Sequence, residues 1–99
     1  MNVLVTFIVE RTRFTENNEL YRDAIEQYQE CKRINASSMF DERISVCYSR
    51  MGDFSRALRY VDDALSVDTT NADLYERRAY IYGEMGNRAK AIEDLTKYI

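Results

Sequence analysis

The sequence predicts an all-α fold in which antiparallel helix hairpins stack as a short α-solenoid. The first observation is self-similarity at one fixed spacing. Gly52 pairs with Gly86, Tyr48 with Tyr82, Met51 with Met85, Ala57 with Ala91, Leu58 with Ile92 and Val61 with Leu95, each 34 residues apart. The dipeptide Glu42-Arg43 recurs as Glu76-Arg77 at the same offset. The second observation is composition: 99 residues hold no proline and three glycines, too few turn formers for a β-sandwich or barrel. The third is the recurrence of apolar residues at helical spacing.

The elements follow in order. Residues 1–36 form a degenerate first unit. Val3, Leu4, Val5, Phe7, Ile8 and Val9 favour a strand by propensity, yet Leu4, Phe7, Ile8 and Phe14 also share one helical face. A helix is expected, because a lone strand has nothing to pair with in an all-helical chain. Residues 20–34 read as the second helix of that unit, with Tyr21, Ala24, Ile25, Tyr28 and Cys31 on one side. The second unit is 38–71. Ser38 is its expected N-cap, and Asp41 suits the positive end of a helix over 39–51. Phe40, Ile44, Cys47, Tyr48 and Met51 point inward. Gly52 stops this helix, since glycine accepts the left-handed conformation that closes a C-terminus. Asp53 caps the next helix, 54–67, whose buried stripe is Phe54, Ala57, Leu58, Val61, Ala64 and Leu65. So short a connection makes the two helices antiparallel. In the third unit, 72–99, Asn71 caps a helix over 72–85 with Leu74, Tyr75, Ala79, Tyr82 and Met85 inward. Gly86 ends it, and Asn87 opens a last helix carrying Ala91, Ile92, Leu95 and Tyr98 on its apolar face.

These residues resemble the tetratricopeptide repeat, whose pattern runs from a bulky residue through a Leu-Gly-like pair, Tyr, Ala and an apolar position. The middle copy reads Asp41, Ile44-Ser45, Tyr48, Gly52, Ala57, Val61, Ala64; the last reads Tyr75, Arg78-Ala79, Tyr82, Gly86, Ala91, Leu95. The first copy is loose: Phe7, Glu10-Arg11, Phe14, Ala24, Tyr28, Cys31. The resemblance implies a right-handed superhelix of two clear repeats and one degenerate one, forming a single domain. It assigns Ser45, Ala57, Ala64, Ala79 and Ala91 to close helix crossings, with Tyr48 and Tyr82 filling the wedge beside them. Asp41 stands where a bulky aromatic is typical, Arg78 where leucine is, and no proline closes either copy.

The resemblance also implies a function: a protein–protein interaction module whose concave face is lined by the first helix of each pair. That places Arg43, Val46, Arg50, Glu76, Arg77 and Tyr80 in a groove for a partner peptide or helix. Two readings of the arginines stand open. Arg43, Arg50 and Arg77 would hold an acidic or C-terminal peptide, as arginine forks suit carboxylates. Alternatively Glu42, Glu76 and Glu84 neutralise them on a solvated face. Some relatives clamp acidic chaperone tails with lysine and asparagine, but Asp73 and Met39 stand where lysine is required and only Arg77 fits. Of the tyrosines, Tyr28, Tyr48 and Tyr82 are expected to pack internally and Tyr80 to be accessible. A self-associating module and a fragment of a longer repeat array are the alternative functions, the former using the end helices near Tyr98 and Ile99.

Charge and chemistry exclude other classes. Fourteen basic and 17 acidic residues, mixed along the chain, give a net charge of −3, and no basic stripe suits nucleic acid. There is no histidine for general base work near neutral pH, no phosphate-cradling glycine loop and no Ser, His, Asp set, so an enzyme is not expected. No metal or cofactor is expected either: Cys31 and Cys47 without histidine cannot complete a four-ligand zinc site. They are expected to be small core residues in a reducing, cytoplasmic setting. The apolar run 3–9 is too short for a membrane span and lacks the flanks of a signal peptide. Asn35-Ala36-Ser37 is read as a chance match to a glycosylation acceptor, and Asp62-Asp63 and Glu93-Asp94 as solvated surface.

Overall fold

In the computed structural model the backbone is described for residues 3–97 and the side chains for residues 18–97. Within these residues five helices follow in order: α1 Val3–Ile34, α2 Ser38–Arg50, α3 Phe54–Val67, α4 Ala72–Glu84 and α5 Arg88–Leu95. The fold is all-α, as the periodicity requires. The strand alternative for the apolar run 3–9 does not form; that run is helical. The side chains of Leu4, Phe7, Ile8 and Phe14, and all of Tyr98 and Ile99, lie outside the described residues.

The first unit differs from the expected helix pair. Residues 3–34 run as one helix of 32 residues without a turn. The reason lies one period upstream of the glycines. Gly52 and Gly86 close α2 and α4 at φ of 80° and 82°, a conformation that side chains with a Cβ resist. The residue 34 positions before Gly52 is Asn18, which stays in the helix. Such a helix is roughly 48 Å long at 1.5 Å per residue, close to the 50 Å longest dimension of the molecule. The shortest dimension, 19 Å, is that of two helix layers.

The caps explain the remaining boundaries. Ser37, one residue earlier than expected, caps α2 by accepting from the Met39 amide at 3.3 Å. Asp53, Asn71 and Asn87 cap α3, α4 and α5 by accepting from Arg56, Asp73 and Lys90 amides at 3.2, 3.0 and 3.2 Å.

Each helix packs on the next in sequence, α1 on α2, α2 on α3, α3 on α4 and α4 on α5. Ile25, Ile44 and Cys47 form one buried cluster, and Ala57, Val61, Ala64, Leu65, Leu74 and Ile81 another; Tyr48 packs against both. At the α2–α3 crossing, Ser45 and Ala57 are fully buried, and the Ser45 hydroxyl donates to the Ala57 carbonyl at 2.7 Å. Serine thus serves two needs there: small volume and a satisfied polar group. Ala64 and Ala79 are also buried, while Ala91, Tyr48 and Tyr82 are half-buried.

Several inward assignments are corrected. Met85 is exposed and Ile81, four residues earlier on the same helix face, takes the buried place. Cys31 is exposed rather than in the core, whereas Cys47 is buried. Asp94, read as solvated, is buried, and Ile92 and Leu95 are 60% and 53% exposed. Helix α5 therefore docks by a different logic from α3: its packing is chiefly on α4.

Candidate protein-binding groove

Helices α2 and α4 present neighbouring faces at the same end of successive hairpins. Glu42, Val46 and Ser49 recur at helical spacing along α2, and Asp73, Glu76, Arg77 and Tyr80 along α4. Between them lies a depression of about 400 Å³ lined by Glu42, Asp73, Glu76, Arg77 and Tyr80. A second, of about 220 Å³, is lined by Val46, Ser49, Arg50, Arg77 and Tyr80. Arg77 and Tyr80 wall both, so the two hollows form one groove.

Five of the six residues assigned to a groove come together here: Val46, Arg50, Glu76, Arg77 and Tyr80. Arg43 lines neither hollow. Its guanidinium turns to α1, lying 5.9 Å from the Tyr28 ring centroid and donating to the Tyr28 hydroxyl at 3.5 Å. The three arginines therefore do not form one row. Arg50 lies 6.0 Å from the Tyr21 ring centroid. Arg77 donates to Glu42 at 3.2 Å, an ion pair between repeats with both side chains about one-third exposed or less. The Nε of Arg77 and the hydroxyl of Ser49 are buried without a partner among the described residues. Tyr80 is 57% exposed, as its position suggested, and its ring meets Phe54 edge-on at 6.5 Å. That contact fixes one edge of the ring and leaves a face to the groove.

The sequence reading missed a charged clamp behind the groove. Arg78 sends Nε to one oxygen of Asp94 and Nη2 to the other, both at 2.8 Å, and Nη1 to Asp62 at 3.0 Å. The Tyr75 and Tyr82 rings flank the guanidinium at 5.4 and 5.9 Å. Hydrogen bonding to Asp94 first, then to Asp62, raises the Arg78 pKa further above its already high value, against burial. The clue was a paired departure. Ile44 and Tyr60 sit 16 residues apart in the middle repeat, and Arg78 and Asp94 replace both at the same separation. Asp41 is a second departure with a local answer: it is buried and pairs with Lys32 of α1 at 2.8 Å.

Comparison with known proteins agrees with this architecture. The tetratricopeptide repeat family pattern matches residues 72–99, the α4–α5 hairpin. Among similar proteins, sperm-associated antigen 1 of Homo sapiens is 32% identical over 85 residues, covering 84% of this chain and 9% of that protein. Its namesakes in Rattus norvegicus and Mus musculus are 38% and 35% identical over 63 and 71 residues. They are covered to 57% and 65% of this chain, and 7% and 8% of their own length. The chain thus spans less than a tenth of the relatives it matches. Tetratricopeptide repeats mediate protein–protein interaction. No helix among the described residues is long and apolar enough to cross a membrane.

Proposed function

We propose, from the premise that this chain carries the tetratricopeptide repeat, that it is a non-catalytic adaptor or scaffold that receives a peptide or helix of another protein in the α2–α4 groove. The observation that carries the reading is the pair of hollows joined at Tyr80. A large aromatic ring exposed between two concavities offers contact area at low entropic cost. Val46 adds apolar surface beside it. Photo-crosslinking tests this: benzoylphenylalanine placed at position 80 should capture partner segments, and the same group at exposed position 59 on α3 should not. Equal capture at both positions would remove the groove from the account.

A second reading, self-association, rests on the outer face of α5. Ile92 and Leu95 stand exposed within one turn of each other. Sedimentation across concentration distinguishes it: assembly that Ile92→Ser with Leu95→Ser abolishes would support it, and a monomer throughout would end it.

A further inference from the structure

We infer that the partner segment presents a basic side chain with an apolar neighbour, the base seated among Asp73, Glu76 and Tyr80 and the apolar group toward Val46; this rests on the groove reading above. The larger hollow sets three carboxylates against a single guanidinium. That guanidinium is already held by Glu42. Asp73 and Glu76 remain exposed, and neither carboxylate has a partner among the described residues. A carboxylate entering this hollow would meet both as like charges, whereas a guanidinium or ammonium would meet them as counter-ions. The exposed Tyr80 ring offers a π face, which attracts cations. The chain already stacks basic groups on its own tyrosines, at Tyr21, Tyr28 and Tyr82. The smaller hollow differs. Val46 supplies apolar surface there, and Arg50, turned to Tyr21, rims it. The groove is thus polarised along its length: carboxylates gather at the Asp73 end, while the other end sets the Val46 side chain beside Arg50 and Arg77 with no carboxylate.

Fluorescence anisotropy with labelled, amidated peptides tests the assignment. One probe repeats Gly-Arg-Ser-Leu and its counterpart repeats Gly-Glu-Ser-Leu. The arginine peptide should bind the intact chain, more weakly as salt rises. Asp73→Asn with Glu76→Gln, which preserves shape, should weaken it by about tenfold. Asp23→Asn with Glu26→Gln, on the exposed side of α1, should leave it unchanged. Circular dichroism melting of each variant confirms that it is folded. If the glutamate peptide binds as well or better and Tyr80→Ala abolishes that binding, the charge assignment falls and the groove stands. If arginine-peptide binding ignores both the acidic pair and Tyr80→Ala, charge assignment and groove fall together. Binding of neither peptide overturns the charge assignment, leaving the groove to its crosslinking test.

Discussion

At the scale of single residues, this molecule is governed by volume at the helix crossings and by paired charge where volume fails. Ala57 is fully buried opposite Ser45, so Ala57→Leu should overpack the crossing and lower stability by about 1–3 kcal/mol in thermal or urea unfolding. An unchanged midpoint would refute the crossing. The Arg78–Asp94 pair predicts non-additivity. Asp94→Asn alone leaves a half-buried guanidinium short of its fork and should cost about 2–3 kcal/mol. The double replacement Arg78→Leu with Asp94→Leu should recover most of that loss, because two apolar groups remove both desolvated charges. Lys32 gives a pH test. Its hydrogen bond to Asp41 raises its pKa above the usual 10.5, so the folded state binds the proton more tightly than the unfolded chain. The stabilisation is full below pH 10.5 and fades as pH climbs through the raised value. Lys32→Met should flatten that alkaline decline in urea unfolding measured across pH. The alanines were legible because small residues recurred at the repeat period. The Arg78–Asp94 exchange was not, because each residue alone looks like ordinary surface charge. Ile81 was hidden by the same exchange, since Arg78 interrupts the apolar stripe that would have pointed to it.

At the scale of elements, capping decides where the chain turns. Gly52 sits at φ 80° with open space around it, so a Cβ there would be strained by backbone alone. Gly52→Ala should therefore destabilise by about 1–2 kcal/mol. Gly83 lies inside α4 without positive φ and with equally open space. Gly83→Ala should instead stabilise by about 0.5–1 kcal/mol through helix propensity. Opposite signs from two chemically identical substitutions would locate the turn at Gly52; equal signs would dismiss it. The N-terminal unit shows the limit of repeat matching. Aligning Phe14 and Ala24 with later copies suggested a hairpin. The chain turns at Gly52 and Gly86 with positive φ, and no glycine lies between Phe14 and Ala24, where α1 continues. Glycine is one way to end a helix here, since α3 ends at Val67 without one.

At the scale of the whole molecule, sequential packing makes a thin, elongated body. Its radius of gyration is 16.0 Å, against about 13 Å for a compact domain of this size. Such a body has much surface for its mass, and among the described residues that surface includes the α2–α4 groove and the outer face of α5. The resemblance to the repeat family named a lining on α2 and α4; Val46, Arg50, Glu76, Arg77 and Tyr80 border the two hollows and Arg43 does not. The sequence left the groove's electrostatics open between two readings: Glu42 is among the acids read as neutralising the arginines, and it does hold Arg77. The choice depends on which carboxylate each arginine meets across the gap, and Glu42 with Arg77 is a contact between repeats that no local spacing encodes. The two regions are separable by mutation. A partner recovered by crosslinking at position 80 should be titrated against the intact chain, against Val46→Ser with Tyr80→Ala, and against Ile92→Ser with Leu95→Ser. The groove variant is predicted to bind at least about tenfold more weakly, while the α5 variant binds as the unmodified chain does. Full affinity in the groove variant, with loss in the α5 variant, would contradict the account.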